Sequence, residues 1–347
     1  MKIVALDVGQ SKSVACIYET ESGEARFLTL PTTPAELQDL IAAESPARVV
    51  MEIGPLAGWI CDLCRALEVA VQVADPTQEA WRWKGVKRKT DRDDALKLAR
   101  LSAMNQINEV HVPSPEVRAW RERIKFRAAL VARRTAIKNS IRSILTRQAI
   151  GWPPGARGWS QASLGQLRAM AAEPDGACWR AMLAVELAQL AAAEEAIATV
   201  EQALDEIAAA DERVQLLRTI PAVGPRLAET IVAIIDDPHR FRSGKEVGSY
   251  AGLAPRTMQS GQMDRQGRIS RRGPALLRSL LVEVAWLGLR WNAWMKRVYE
   301  RALRGSPSRR KIAIVAVARR LLVVCWAMLR DGTRWRDPES ATLRLVA

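Results

Sequence analysis

The amino-acid sequence predicts a mixed α/β domain at its N-terminal end, followed by a largely helical remainder. Three observations support this prediction. Short runs of valine, isoleucine and leucine recur within the first 75 residues, two later stretches repeat their apolar residues at helical spacing, and a proline- and glycine-rich segment separates those two stretches. The chain has 347 residues, which is enough for two or three domains of ordinary size.

Five short apolar runs, bounded by glycine, proline or charged residues, predict β-strands. They occupy residues 2–8, 13–19, 25–31, 47–53 and 69–74. The first three follow one another closely, as in a meander, whereas residues 34–43 and 56–67 have helical patterns and separate the later strands. This alternation predicts a mixed sheet with helices packed on it.

Beyond residue 90 the apolar residues recur at helical spacing. A helix is predicted in DRDDALKLARLSAM and a long basic helix over residues 115–149. The segment GWPPGARGW (151–159) interrupts the pattern, because paired prolines and glycines do not continue a helix. A second long helix, with one leucine-rich stripe, is predicted over residues 179–210. The pair predicts a coiled-coil arm, used either as a dimer contact or as an intramolecular hairpin.

The last part of the chain opens with LRTIPAVGPRLAETIVAII, in which a Pro-x-x-Gly-Pro turn joins two helical patterns. This arrangement resembles a helix-hairpin-helix, whose turn presents backbone N–H groups to a phosphate. Ala222 stands where a second glycine is common. An ordinary turn between two packed helices is the alternative.

Charge is distributed in alternating blocks along the chain. The formal net charge is +14 and the isoelectric point is near 10.1. Residues 81–147 (net +12) and 218–347 (net +15) are basic, whereas residues 1–80 (net −7) and 148–217 (net −6) are acidic. Of the 25 basic residues in the last block, 22 are arginines, which suit bidentate phosphate contacts. The blocks indicate a polyanionic partner, with nucleic acid first.

Several classes of protein are disfavoured. The most apolar stretches are short or interrupted by charges such as Arg319 and Arg320, so a membrane span is not predicted and no membrane partner is expected. The first residues lack the pattern of a secretory signal, and the five cysteines are odd in number and scattered. We expect a protein of the reducing cytoplasm.

Four carboxylates form the strongest chemical pattern. Asp7 ends the strand pattern KIVALDVG, Glu52 ends ARVVMEIG, and Asp91 and Asp94 open the helix in KTDRDDALKLA. Open α/β sheets expose functional side chains at strand ends, and a spacing of three puts both aspartates on one helical face. Four carboxylates can hold two divalent cations about 4 Å apart for a phosphodiester displacement. Oxygen ligands favour Mg²⁺ or Mn²⁺.

Each of these carboxylates also has a simpler explanation. An aspartate after a first strand is often a turn former, and Asp91 and Asp94 could be helix caps that favour the dipole. Asp93 is expected to lie off the metal-facing side. The order of strand Asp, strand Glu and helical Asp-x-x-Asp, beside basic blocks, favours the metal site.

Taken together, these motifs resemble the DEDD-type insertion-sequence transposases. The segments that carry the resemblance are LDVGQSK, MEIG, KTDRDDALKLA, and a C-terminal part from TIPAVGPRLAETIVAII through YAGLAPRTMQSGQ to RISRRGPALLRSLLVEVAW. The resemblance covers nearly the whole chain. It implies a DNA recombinase whose N-terminal domain has the RNase H-like fold of Holliday-junction resolvases, which acts at the bacterial nucleoid.

The resemblance also implies the roles of individual residues. Ser260, in MQSGQ, would be the nucleophile that forms a phosphoserine link to DNA. The residues Asp7, Glu52, Asp91 and Asp94 would hold Mg²⁺ or Mn²⁺. A structured noncoding guide RNA of the element would pair with DNA, so that the protein recognises backbone and shape.

The expected organisation has three parts. They are an RNase H-like metal-binding catalytic domain at residues 1–112, a helical coiled-coil arm at 113–212, and a mainly helical C-terminal transposase domain with the serine nucleophile at 213–347. The arginine-rich segments 118–147 and 265–278 would meet phosphates. Because several strands must be cut, we expect a homo-oligomer, either a dimer or a tetramer.

Three other functions stay open at this point. LDVGQSKSVACI resembles the phosphate-gripping turn of actin-like and sugar-kinase ATPases, although the sequence shows neither their second phosphate loop nor their adenosine-binding segment. A non-catalytic DNA-binding protein would tolerate the loss of Asp7 or Ser260. A metal-dependent nuclease similar to Holliday-junction resolvases would need the carboxylates but not Ser260.

Overall fold

The computed structural model describes residues 1–75, 90–153, 158–174, 176–260 and 263–337, and the side chains of residues 257–266 lie outside that description. The chain forms two compact units, Met1–Arg118 and Ala119–Ala347. Each unit contains its own hydrophobic core.

A five-stranded mixed sheet lies at the centre of the first unit. Its strands are β1 (Lys2–Val8), β2 (Lys12–Glu19), β3 (Ala25–Pro31), β4 (Arg48–Glu52) and β5 (Ala70–Ala74). Their order is β3-β2-β1-β4-β5, in which β1, β2 and β3 are antiparallel neighbours and β4 and β5 run parallel to β1. The five strands and the mixed sheet predicted from the sequence are confirmed.

Helices cover both faces of this sheet. The helices α1 (Pro34–Glu44) and α2 (Ala57–Ala66) pack on the face that contains Leu6. The helix α3 (Asp91–Ala103) packs on the opposite face, which contains Ala5. Because successive side chains of a strand point to opposite faces, β1 contributes alternate residues to two separate apolar clusters.

Two long helices and a short one follow α3 along the chain. They are α4 (Pro115–Arg147), α5 (Gln161–Ala172) and α6 (Cys178–Ala210). The helices α4 and α6 run antiparallel, since Arg127 Nε donates to Glu201 Oε1 at 2.8 Å while Ser140 Oγ donates to Glu186 Oε1 at 2.6 Å. The pair is therefore an intramolecular hairpin, one of the two arrangements expected from the sequence.

The C-terminal part is mainly helical, as predicted, but it also contains a β-hairpin. Its elements are α7 (Glu212–Leu217), α8 (Pro225–Ile235), α9 (Gly244–Tyr250), β6 (Pro255–Ser260), β7 (Met263–Ile269), α10 (Ala275–Trp291), α11 (Ala293–Leu303) and α12 (Arg310–Asp331). The hairpin was not predicted because its strands, PRTMQS and MDRQGRI, are polar and do not alternate.

The helix α12 is central to this part, where it packs against α7, α8, α9, α10 and α11. By length and composition the segment Pro307–Asp331 could cross a membrane, and half of its most apolar window is buried inside the protein. Packing within the core accounts for that buried half, which contains Val317, Leu321 and Cys325.

Candidate functional site

Asp7 and Glu52 lie next to each other at the ends of two neighbouring parallel strands. The last paired residues of β1 and β4 are Leu6 and Met51, and the two acids follow them directly. Neighbouring strands are about 4.8 Å apart, so the register places the acids side by side. Both side chains are half-buried.

The two acids also share a face of the sheet. Ala5 and Val50, each two residues earlier, belong to the same apolar cluster as Ala95 and Leu98 of α3. Because strand side chains alternate, Asp7 and Glu52 continue this α3-covered face beyond the apolar cluster. This face is apolar at its centre and becomes polar where the strands end.

The helix α3 carries the other two predicted acids in its first turn. Asp94 is half-buried and comes directly before the buried Ala95, whereas Asp91 is exposed. A spacing of three or four residues puts Asp91, Asp94 and Leu98 on one side of the helix, the side that packs on the sheet. That these two aspartates act together at one site stays a prediction.

Asp93, in contrast, caps the N-terminal end of α3. Asp93 Oδ2 accepts hydrogen bonds from Thr90 N at 3.0 Å and Thr90 Oγ1 at 2.6 Å, and Asp93 N donates to Thr90 Oγ1 at 3.3 Å. These hydrogen bonds lower the pKa of the Asp93 carboxyl group. The reciprocal arrangement is a capping box, which fixes the start of the helix that carries Asp91 and Asp94.

The four predicted ligands nevertheless do not close into a compact metal site. Among the residues that the structure describes, no group of three or more His, Cys, Asp and Glu side chains is arranged to hold a metal ion. The donor set does fit a hard cation, because four carboxylates offer only oxygen. The structure thus brings Asp7 and Glu52 together and places Asp91 and Asp94 on the helix over the same face.

Ser260 belongs to the second unit, where it is the last residue of β6. Its backbone pairs with Met263 across the hairpin. Its side chain lies outside the described part of the chain, as do the two residues of the connecting loop. The site therefore has a defined backbone position at the turn end of the hairpin.

The base of the hairpin is held by close backbone contacts. Gly252 and Gly273 have φ angles of +70° and +91°, and a Cβ atom at either would come within 2.0 Å of a backbone carbonyl oxygen. Arg278 Nη1, from α10, donates to the carbonyls of Ala251 at 3.1 Å and Gly273 at 3.0 Å. These contacts fix the hairpin against the helical core.

The turn before α8 contains a residue with a positive φ angle. Ala222 has a φ angle of +77°, in the region that favours glycine, which explains why a second glycine is common there. Val223 N donates to the carbonyl of Ile220 at 3.0 Å, and Asn292 Nδ2 donates to that of Pro221 at 3.3 Å. The turn is thus held by α11 through its capping residue.

Part of the arginine-rich segment 118–147 is used inside the protein. Arg118 forms an ion pair with Asp62. Arg121 Nε donates to the carbonyl oxygen of Ala233, at the end of α8, at 2.6 Å. The exposed cations of this segment, which include Arg123, Lys125 and Arg133, are the candidates for the predicted phosphate contacts.

The sequence analysis missed a buried ion pair in α8. Glu229 is 1% exposed, and its Oε1 atom lies 3.1 Å from Arg226 Nη1. The other carboxylate oxygen has no hydrogen-bond partner among the described residues. Burial raises the pKa of Glu229 to about 7, and the charge of Arg226 partly opposes that shift. The sequence feature that could have indicated this buried pair is the single acidic residue within the apolar stretch LAETIVAII.

Comparison with known families covers both units. A family model described as Transposase, of the DEDD type named for IS110, matches residues 4–149, which include the four predicted carboxylates. A second model, described as Transposase IS116/IS110/IS902 family, matches residues 214–300, which include Ser260.

Proteins similar to this chain include transposases and a pilin gene-inverting protein. A probable family 20 transposase of Pseudomonas aeruginosa is 29% identical over 97% of this chain and 99% of its own length. The transposase for insertion sequence element IS1111A of Coxiella burnetii is 30% identical over 72% of this chain and 68% of its own. The pilin gene-inverting protein of Moraxella lacunata is 36% identical over 35% of this chain and 38% of its own. From these matches, the chain belongs to the insertion-sequence transposases of the DEDD type, the IS110/IS116 family, and is an enzyme that acts on DNA.

Proposed function

We propose that this transposase cleaves and rejoins DNA through a serine nucleophile, Ser260, supported by a divalent-metal site formed by Asp7, Glu52, Asp91 and Asp94. The observation that carries the proposal is the adjacency of Asp7 and Glu52 at the ends of parallel strands, on the face that α3 covers. Strand ends of this kind are where open α/β sheets hold reactive groups.

The domain assignment is part of the same proposal. The sheet order, with three antiparallel strands followed by two parallel ones, supports an RNase H-like catalytic domain at residues 1–112. The antiparallel pair of α4 and α6 supports a coiled-coil arm at residues 113–212. The positive φ angle of Ala222 supports a helix-hairpin-helix-like turn in the transposase domain at residues 213–347.

The proposed chemistry is a transesterification. The Ser260 oxygen bonds to a DNA phosphorus while the phosphorus–oxygen bond to one sugar breaks, the serine proton passes to a carboxylate, and the departing sugar oxygen gains a proton. A sugar hydroxyl of another strand then attacks the phosphoserine and restores the serine, so the number of phosphodiester bonds is conserved. A bound Mg²⁺ or Mn²⁺ would supply stabilisation of the phosphorane charge.

The further partners follow from the family resemblance. A structured guide RNA would select donor and target DNA by base pairing, with the protein binding backbone and shape. The net charge of +14 is suited to two polyanions. Cutting several strands in one event favours a dimer or tetramer.

A trapping assay tests the chemistry. Purified protein with its copurified RNA, element-end DNA and Mg²⁺ is denatured and resolved for a covalent protein–DNA adduct. We expect an adduct with wild-type protein and its loss in Ser260→Ala and in Asp91→Ala. The matched controls are Ser249→Ala, an exposed serine of α9, and Asp93→Ala, the neighbouring cap residue, both of which should retain the adduct.

Either of two results would replace this proposal with a different function. DNA cleavage without an adduct, unaffected by Ser260→Ala but lost in Asp91→Ala, would identify a hydrolytic nuclease of the resolvase type. Binding without cleavage under every metal condition, with Asp7→Ala equal to wild type, would identify a non-catalytic DNA-binding role.

A further inference from the structure

A large groove opens in the second unit between α9, β7, α10 and α12. Its volume is about 1800 Å³, and seven basic side chains but no acidic one line it among the described residues. Arg268 comes from β7, while Lys311, Arg319 and Arg320 come from α12. A surface of one charge sign, on a concave wall, concentrates ligands of the opposite sign.

Two glycines of α9 allow this wall to form. A Cβ atom at Gly244 would lie 2.6 Å from Val323 Cγ1, and one at Gly248 would lie 2.9 Å from Arg319 Nε. The spacing of four residues puts both glycines on the α9 side that meets α12. The missing side chains let α12 approach closely and let Arg319 lie over Gly248.

The floor of the groove is apolar. It includes Ile312 and Val315 of α12 and Trp286 of α10. Ile312 is 58% exposed and Trp286 is 44% exposed. The Trp286 ring is tilted against Tyr299 with ring centroids 6.0 Å apart, which leaves an aromatic surface at the groove.

We propose that this groove binds a nucleic-acid strand whose bases are unpaired. The cations would neutralise its phosphates, and Trp286 with the apolar floor would stack against its bases, the combination that single-strand sites use. A duplex would satisfy the cations but would present no base faces to the apolar floor. The proposal rests on the proposed function for the kind of substrate, and does not depend on the cleavage chemistry.

A binding assay on the full-length protein, with EDTA present so that no cleavage occurs, separates this proposal from the catalytic one. The probes are fluorescent oligothymidylate, oligouridylate and a random-sequence DNA duplex, each of 20 nucleotides or base pairs, titrated over a range of salt. We expect both single strands to bind more tightly than the duplex. Their relative affinities show whether the natural strand is DNA or RNA.

Charge and stacking variants test the groove separately. Lys311→Gln/Arg320→Gln should reduce the slope of log K against log salt by about 1.4, the loss of two phosphate contacts with a single strand. Trp286→Ala should weaken single-strand binding by roughly five-fold to a hundred-fold, and Trp286→Phe should retain most of it. The controls are Arg168→Gln/Arg218→Gln, exposed cations elsewhere, and Trp291→Ala, a 72% exposed tryptophan of α10 outside the groove lining.

Three results would overturn the proposal. In the first, the charge variant and Trp286→Ala bind both single strands with wild-type affinity and salt slope. In the second, the variants weaken only duplex binding. In the third, they leave the oligonucleotides unaffected but lose binding to vesicles of anionic phosphatidylglycerol, which would make the groove a membrane contact. None of these results bears on adduct formation by Ser260, so the two proposals fail independently.

Discussion

Arg226 Nη1 lies 3.1 Å from Glu229 Oε1 within the core of the second unit. Arg226 also pairs with Asp205, and Arg127 pairs with Glu201 nearby. Burial is the main cause of the raised pKa of Glu229; Arg226 and Arg127 lower that pKa, while Asp205 and Glu201 raise it. A carboxyl group with a pKa of about 7 changes its charge near neutral pH.

The raised pKa of Glu229 predicts a pH-dependent stability. The folded-state pKa of Glu229 exceeds its ordinary value of 4.5, so the folded protein holds more protons than the unfolded chain between pH 4.5 and about 7. The contribution of Glu229 to the free energy of unfolding is therefore fully present below pH 4.5 and is lost as the pH rises through about 7. Glu229→Gln does not titrate, so its unfolding free energy relative to wild type should rise by roughly 2 to 3 kcal/mol from pH 5 to pH 8.

Urea denaturation at several pH values measures this difference. Glu300→Gln, an exposed glutamate of α11, should show no comparable trend. If the difference in unfolding free energy between Glu229→Gln and wild type stays constant from pH 5 to pH 8, Glu229 is already ionised in the folded protein over that range.

Two neighbouring aspartates of α3 should respond differently to substitution. Asp93→Ala removes the capping box with Thr90 and should lower the melting temperature while adduct formation is retained. Asp94→Ala should abolish adduct formation with little change in melting temperature, because Thr90 and Asp93 still cap the helix. Thermal denaturation and the trapping assay on the same preparations measure both effects. Equal effects of the two variants on the adduct would remove Asp94 from the proposed site.

The sequence predicted the parts of the fold that depend on local pattern. The short apolar runs of β1 and β4 were enough to place Asp7 and Glu52 at strand ends, and the helical period of residues 179–210 gave α6 within a residue at its start. The hairpin β6–β7 was not predicted because its strands are polar. The groove could not be predicted from the sequence because Arg268 and Lys311 are far apart along the chain. The packing of α12 brings their elements together.

The hairpin base predicts a stability difference between two glycines. Gly273 has a φ angle of +91°, and a Cβ atom there would lie 2.0 Å from the carbonyl oxygen of Tyr250. Gly305 has a φ angle of +67° but nothing within 4 Å of the same position. Gly305→Ala should cost about 1 kcal/mol from backbone strain alone, and Gly273→Ala about 2 kcal/mol more because backbone must also shift.

Urea unfolding of both variants measures the two costs. Gly273→Ala should also reduce the adduct yield, because the shift reaches the hairpin that carries Ser260. Equal stability of the two variants would mean that the chain near Tyr250 relaxes freely.

The separation of the predicted acids and the predicted serine into two compact units leads to a test of shared sites. Asp7→Ala protein retains its Ser260, and Ser260→Ala protein retains its carboxylates. If one protomer's serine works with another's carboxylates, mixing the two inactive proteins should restore adduct formation. For a dimer with random exchange of subunits, half of the dimers are mixed and each has one intact site, so equal amounts should give about a quarter of the wild-type yield.

The ratio of the two proteins distinguishes this shared site from contamination of either preparation with active protein. The restored yield should pass through a maximum at equal amounts, since mixed dimers are most abundant there. Asp93→Ala protein, mixed with Ser260→Ala in the same series, should instead give a yield that falls steadily as the inactive partner is added. No restoration at any ratio, in preparations shown by labelling to exchange subunits, would place the serine and the carboxylates of each working site in a single chain.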